Sequence, residues 1–125
     1  MKTSIEWNGR KVYIDTDDRM ILLDEHGVKS ALLYIPGLPT HVLISLEGPH
    51  PVWSWNGSKD KPTFYPSILT RLPWGTERRE IRNHVFVRDG QISYLSDCTH
   101  EYAGKTIDLP QLKDWPDDFN LWSNE

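Results

Sequence analysis

Apolar residues recur at every second position along two short runs, 84–88 and 91–95, which are separated by Asp89-Gly90. A period of two is typical of a β-strand with one buried face. Asp-Gly is a preferred centre of a two-residue type I′ turn, because both residues tolerate positive φ. The pattern therefore predicts an antiparallel hairpin. If the cross-strand pairing continues residue by residue away from the turn, Arg82 lies opposite Asp97.

This register divides the side chains of the hairpin between two faces. One face is apolar throughout and should lie against a core; it consists of Val85, Val87, Ile92 and Tyr94. The other face carries His84, with Asp97 as its diagonal neighbour, near enough for the carboxylate to accept a hydrogen bond from the imidazole. Cys98 and His100 follow directly. This end of the hairpin is the one cluster in the sequence with evident chemistry.

Similar patterns recur along the rest of the chain. Asn8-Gly9 predicts a second hairpin, and two apolar runs flank the polar turn 24–27, although the first of them also fits one turn of helix. The remaining segments are predicted as a buried strand (41–46), an extended or edge segment with two prolines (61–72), an exposed loop (73–82), a short strand (106–109) and a C-terminal tail (110–125) that packs back as a short helix or lies over the surface.

These elements predict an all-β or mainly β fold. The 125 residues, 14.6 kDa, fit a single domain, 1–125, of antiparallel hairpins forming a sandwich-like or partly rolled sheet with little helix. Six Trp, nine Pro and eight Gly in so short a chain also favour short strands and tight turns over long helices.

Charge and cysteine content restrict the function classes. The net charge of −4 and the scattered basic residues do not suggest binding to nucleic acid. Cys98 is the only cysteine, so no intramolecular disulfide can form, and a reducing compartment is expected. No apolar run approaches the roughly 20 residues of a membrane span. We therefore expect a cytoplasmic protein that binds neither nucleic acid nor membrane; its oligomeric state is not predicted.

His84 and Asp97 support a catalytic hypothesis. Asp97 would fix the tautomer of His84, and His84 would act as a general base toward a nucleophile, for which Ser67 and Cys98 are the candidates. Ser67 follows Pro66 in a stiff segment that would hold its hydroxyl at a fixed angle. Cys98 lies beside Asp97, which would raise the thiol pKa and weaken it as a nucleophile. Alternatively, His84 is an ordinary strand histidine and Asp97 caps the next loop.

A zinc site is a rival use of the same groups. His84, Cys98 and His100 would supply three ligands, with Asp97 or His41 as the fourth. The paired cysteines usual in structural zinc sites are absent, so no cofactor is expected. A third possibility is an aromatic binding surface formed by Trp53, Trp55, Phe64 and Tyr65, residues that are more often core and rim packing in a small β domain.

Several motifs carry a resemblance to a known family. They are W-S-W-N-G from Trp53, K-P-T-F-Y-P-S-I from Lys61, H-V-F-V-R-D-G from His84 and D-C-T-H from Asp97. In this order they resemble a family of short phage, prophage and bacterial proteins of unknown function, some of which carry an ammonia monooxygenase label. The resemblance covers about 31–110. Nothing in the sequence is similar to a copper or di-iron site.

The resemblance also bears on metal and activity. Relatives often have Cys-Pro-Gly-Cys at positions 35–38 and Cys-His at 83–84, which implies a zinc site that this chain has lost or replaced with apolar packing. Some bacterial relatives are encoded beside ubiquitin-like proteins and their activating enzymes, which implies a peptidase that trims or removes such modifiers. The polar positions that still match the family are His41, Ser67, His84, Asp97 and His100.

Two functions follow as hypotheses. The first is hydrolysis of a peptide or isopeptide bond in a protein substrate such as a ubiquitin-like protein. Ser67 would be the nucleophile, His84 the base, Asp97 its orienting carboxylate and His100 a second polarising group, while His41, Trp53 and Trp55 would bind substrate. The second is a non-catalytic, phage-encoded module that holds a host protein or interferes with defence, using its tryptophans and an exposed loop at 74–82.

Overall fold

The structure, a computed structural model, describes residues 2–49, 52–74 and 79–116, except for the side chains of residues 74 and 79. The secondary structure of these ranges is almost entirely β. Its elements are β1 (Lys2–Trp7), β2 (Arg10–Asp15), β3 (Ile21–Glu25), β4 (Val28–Leu33), β5 (Val42–Ser45), β6 (Ser54–Trp55), β7 (Phe64–Trp74), β8 (Arg79–Arg88), β9 (Gln91–Tyr94), β10 (Thr106–Asp108) and the 3₁₀ turn Leu112–Asp114.

The strands form three antiparallel sheets. The largest has five strands in the order β10-β9-β8-β7-β6, the second has the order β3-β4-β5, and β1 and β2 form a separate hairpin. The described ranges contain no α-helix. The mainly β fold class predicted from the sequence is confirmed.

The three-stranded sheet lies between the two clusters, and residues 31–33 of β4 are buried on both of its faces. On one side, Ala31 and Leu33 pack with the five-stranded sheet in the main core, which includes Val85 and Ile92. On the other side, Leu32 packs in a second cluster that combines β3 and β4 with the β1–β2 hairpin and the C-terminal turn. A strand buried on both faces needs consecutive apolar residues. This explains why the two apolar runs that flank turn 24–27 do not alternate.

The predicted hairpins are present in the expected registers. Asp89-Gly90 turns with φ of 50° and 75°, and the pairs run from Arg88 with Gln91 inward along β8 and β9. Asn8-Gly9 turns in the same way between β1 and β2. The apolar run that also fitted a helix is strand β3. The polar turn after it is shorter than predicted, because only His26-Gly27 leave the ladder.

Three predictions about strand boundaries and burial were wrong. Arg82 lies opposite Thr99, whose N–H donates to the Arg82 carbonyl at 3.0 Å, because β9 ends at Tyr94 and a turn at 95–98 intervenes. The segment 73–82 is mostly not a loop: β7 and β8 continue into it and pair with each other, and only 75–78 lie outside the described residues. Strand 41–46 is not fully buried, since β5 is an edge strand.

The described part of the tail packs against the second cluster. Leu112 and Trp115 are buried there, next to β1, β2 and the middle sheet. Positions 117–125 lie outside the described residues. No helix in the described ranges is long and apolar enough to cross a membrane.

Candidate active site

A bulge in β7 sets the position of Ser67. Phe64 pairs with Val87 and Ile68 pairs with Val85, so three residues of β7 lie between these pairs where β8 has one. Pro66 lies in the bulge and has no N–H for the ladder, which is why proline within a sheet is confined to such places. Bulges re-aim side chains and are frequent beside active sites. Here the bulge ends at Ser67.

The next pair along the ladder places the imidazole. Leu69 is the cross-strand partner of His84, and both side chains are on the face opposite the core residues Ile68 and Val85. Ser67 is two residues before Leu69 on β7, so its hydroxyl lies on the same face. Ser67 Oγ is 2.9 Å from His84 Nε2.

Asp97 approaches the other ring nitrogen of His84. It lies in the turn after β9, which is closed by the Cys98 N–H donating to the Leu95 carbonyl. Asp97 Oδ2 is 3.3 Å from His84 Nδ1. The predicted proximity of the two residues is therefore present, although a turn and not a continued strand produces it. The side chain of His84 is 26% exposed and that of Asp97 is 44% exposed, so the site is open to solvent.

This arrangement can move a proton. With a proton on Nδ1 donated to Asp97, Nε2 of His84 is free to accept the Ser67 O–H. A hydroxyl that donates to an imidazole held by a carboxylate is the geometry that activates a serine for attack. The three groups come from three different elements: the β7 bulge, β8 and the turn after β9.

Cys98 holds the backbone beneath the imidazole. Its sulfur accepts the His84 N–H at 3.3 Å, and its S–H donates to the His84 carbonyl at 3.4 Å. The thiol is buried. These contacts fit the interpretation of Cys98 as a small packed side chain better than a role as nucleophile, because the sulfur is engaged with backbone groups.

His100 is on the opposite side of β8 from the Ser67–His84 pair. Its Nε2–H donates to Oδ1 of Asn83 at 2.7 Å, and its Nδ1 accepts the Tyr102 N–H at 3.2 Å. Asn83 is fully buried and precedes His84 in the strand, so its side chain is on the core face. Burial lowers the pKa of His100, with a smaller opposing effect from Glu101. The structure does not bring His100 to the candidate nucleophile.

The contact between the turn 35–38 and His100 bears on the zinc hypothesis. Gly37 lies against the His100 ring so closely that a Cβ there would be 2.7 Å from it, and the Tyr94 hydroxyl donates to the Pro36 carbonyl. The turn 35–38 therefore reaches His100. It brings buried Ile35 and Leu38, which offer no ligand atoms, and Asn83 offers only an amide. These residues do not fit zinc. In the described ranges, no three His, Cys, Asp or Glu residues could together hold a metal ion.

The predicted binding residues lie in different places. The Trp53 indole N–H donates to the Ser67 carbonyl at 3.2 Å, which ties this ring to the nucleophile's backbone. His41 and Trp53 both line a groove of about 370 Å³ beside β7. Burial lowers the pKa of His41. Trp55 instead donates to the Ser58 carbonyl and closes its own turn, and it is not part of this groove.

One comparison with known proteins found a match. The model of one family, described as the bacterial ubiquitination-like system serine protease (BubE), matches residues 6–95. The chain belongs to this family. The matched part includes Ser67 and His84 and ends two residues before Asp97. No curated protein and no solved structure matches the chain significantly.

The family description agrees with the predicted link to a ubiquitin-like system and with a peptidase of the serine type. The phage origin and the cytoplasmic location remain predictions. Sequence reasoning missed three features of the site: the bulge, the Trp53 contact to Ser67, and the half-exposed Leu43 and Leu69 that line the groove. Pro66 inside a strand pattern was the available signal for the bulge.

Proposed function

We propose that this protein is a serine peptidase that cleaves a peptide or isopeptide bond at the carboxyl end of a ubiquitin-like protein. The observation that carries the proposal is the chain of contacts from Ser67 Oγ to His84 Nε2, 2.9 Å, and from His84 Nδ1 to Asp97, 3.3 Å. The family description supports the serine-type chemistry and the ubiquitin-like system. The class of substrate is our inference from both.

The reaction follows from proton movements at named atoms. Ser67 Oγ attacks the scissile carbonyl carbon while its proton passes to His84 Nε2, and Asp97 stabilises the resulting imidazolium. His84 then donates this proton to the leaving amine as the carbon–nitrogen bond breaks, which leaves an acyl ester on Ser67. Water, deprotonated by His84, hydrolyses the ester and regenerates the hydroxyl. In this scheme His100 has no catalytic part, because both of its ring nitrogens are already bonded on the other face of β8.

The proposal is tested with a small fluorophosphonate, which reacts with activated serines. We expect the parent protein to be labelled at Ser67, as located by mass spectrometry of the digest, and Ser67→Ala and His84→Ala to remain unlabelled. Ser54→Ala is the matched control, since Ser54 lies on neighbouring β6 and donates only to the Tyr65 carbonyl. Equal labelling of the parent and Ser67→Ala would refute the assignment.

A second experiment addresses the substrate. Ubiquitin-like precursor proteins with residues after their mature carboxyl end are incubated with the parent protein and with Ser67→Ala. Mass spectrometry should find the shortened product only with the parent. Labelling of Ser67 without cleavage of any such precursor would support the serine hydrolase chemistry and refute the proposed substrate class.

A further inference from the structure

The groove beside Ser67 runs between two strand edges. It is lined on one side by β5 and on the other by β7, with Trp53 between them. β5 is the last strand of its sheet, and β6 pairs with β7 only at Phe64 and Tyr65. Along the groove, no described strand therefore pairs with either edge.

The ladder identifies which backbone groups of β7 face this groove. The His84 carbonyl accepts the Leu95 N–H, so the backbone groups of His84 point toward β9. In an antiparallel ladder, the backbone N–H and C=O of the cross-strand partner then point away from β8 as well, to the other side of β7. Leu69, the partner of His84, and Arg71, two residues later, thus direct their N–H and C=O groups toward the groove. Ser67 agrees with this alternation, because its carbonyl accepts the Trp53 indole N–H.

The same reasoning applies to β5. The Leu46 N–H donates to the Lys29 carbonyl, so the backbone N–H and C=O groups of every second residue, counted back from Leu46, point toward β4. The backbone groups of Leu43 and Ser45 therefore point away from β4. In agreement, the Ser45 carbonyl accepts the backbone N–H of Trp53 at 2.9 Å. Leu43 presents its N–H and C=O at the open edge.

Trp53 closes one end of the groove. Its backbone N–H binds the end of β5 at Ser45, and its indole N–H binds β7 at Ser67. The open edges of both strands extend from this point, so a chain lying in the groove would reach the candidate nucleophile at the closed end.

Apolar side chains are exposed along this groove. Leu43 and Leu69 are each 50% exposed, and both line it. Tyr65, 65% exposed, lies two residues before Ser67. Exposed apolar residues gathered around a reactive group mark a binding surface more often than scattered ones do. Their position indicates a ligand with apolar side chains.

We propose that an extended, apolar segment of the protein substrate occupies this groove as an added strand, on the acyl side of the bond that is cleaved. The segment pairs with the backbone of Leu69 and Arg71 on β7, and an apolar side chain packs against Trp53 and Leu43. Strand addition supplies main-chain hydrogen bonds, and the side-chain pocket supplies specificity. This inference rests on the proposed function, because it places the segment relative to Ser67.

The test compares three phosphonate probes on the full chain. They are a small alkyl probe, a probe with an apolar tetrapeptide on the acyl side and a probe with an acidic tetrapeptide. We expect the apolar peptide to label Ser67 roughly tenfold faster than either other probe, the gain typical of one well-placed apolar group. N-methylation of its backbone amides should remove the gain, because it removes the ladder donors.

Variants then locate the effect. Leu43→Asp should abolish the gain for the apolar peptide, because a carboxylate would replace the half-exposed apolar side chain that lines the groove. Tyr13→Asp makes a similar change at an exposed position on β2 and should leave the labelling rates with the apolar and the small probe unchanged.

The outcomes separate this inference from the proposed function. Labelling by the small probe with no gain from the apolar peptide, or a gain that survives in Leu43→Asp, overturns the groove assignment and leaves the serine hydrolase intact. Absence of labelling by every probe overturns both.

Discussion

Asp97 differs from the carboxylate of a fully buried triad. Its side chain is 44% exposed and its oxygen is 3.3 Å from the imidazole, at the long end of hydrogen-bond distances. Water therefore competes for both groups, and the interaction should be weaker than in a dry site. Its contribution is mainly to favour the His84 tautomer that leaves Nε2 ready to accept a proton.

We expect Asp97→Asn to lower the rate of Ser67 labelling by roughly 10- to 100-fold, less than the loss of about 10⁴-fold seen where the carboxylate is buried. An asparagine keeps the size of the side chain and removes the charge that holds the proton on Nδ1. The measurement is the second-order rate with the small fluorophosphonate near neutral pH.

The control for Asp97→Asn is Asp24→Asn, the same change at an exposed position on β3. It should not alter the labelling rate. A rate for Asp97→Asn equal to that of the parent would mean that Ser67 and His84 act as a pair without the carboxylate.

Among the secondary-structure elements, the local sequence predicts hairpin turns and registers well, and it predicts poorly where the hairpin strands end. Asp89-Gly90 and Asn8-Gly9 determine their own turns, so both registers could be predicted from the sequence. The ends of the strands depend on tertiary partners. Thr99 replaces Asp97 opposite Arg82 because the turn at 95–98 interrupts the strand, and no local pattern indicates that turn. The predicted contact between His84 and Asp97 survives because the turn still brings the carboxylate to the ring.

The tip of the β8–β9 hairpin is packed, unlike that of β1–β2. The Gly90 N–H donates to the Pro62 carbonyl, and a Cβ on Gly90 would be 3.2 Å from the Lys61 Cα. A Cβ on Gly9 would have no atom within 4 Å. The two glycines have nearly the same φ, 75° and 77°, so they differ in packing and not in backbone conformation.

We therefore expect Gly90→Ala to destabilise the protein more than Gly9→Ala. Each substitution should cost about 1 kcal/mol for a side chain at positive φ, and Gly90→Ala roughly 1 kcal/mol more because the backbone at Lys61 must move. Urea unfolding of the two variants measures the difference. Equal losses of unfolding free energy in the two variants would show that the segment 60–62 moves away from the added Cβ at no energetic cost.

For the whole molecule, the alternation of apolar residues predicts that a core exists and does not predict how many layers it has. Val85 and Ile92 could be assigned to a core from the hairpin alone, and they are buried. The three-layer arrangement depends on which sheets face each other, information carried by long-range contacts. The sequence feature that corresponds to the three-layer arrangement is the run of consecutive apolar residues in β4, and such a run fits a buried helix equally well.

Two separate clusters make stability and activity separable. The main core lies beneath β7 and β8, which carry Ser67 and His84, whereas Leu112 packs in the second cluster with Ile5, Ile14 and Ile21. Leu112→Ala should lower the free energy of unfolding by about 2–4 kcal/mol, because it leaves a cavity among fully buried side chains. At a temperature where the variant remains folded, the rate of Ser67 labelling should equal that of the parent.

Lys113→Ala is the matched control for Leu112→Ala in the same 3₁₀ turn. Its ammonium pairs with Asp17 at 3.2 Å on the surface, and loss of such an exposed pair should cost less than about 1 kcal/mol. If Leu112→Ala slowed labelling while the protein stayed folded, the second cluster would have to act on the position of β7 or β8 through the middle sheet. Because the middle sheet packs on both clusters, a loss of activity would point to β3 and β4 as the route. Leu32→Ala, a change on β4 in the second cluster, should then reproduce the loss.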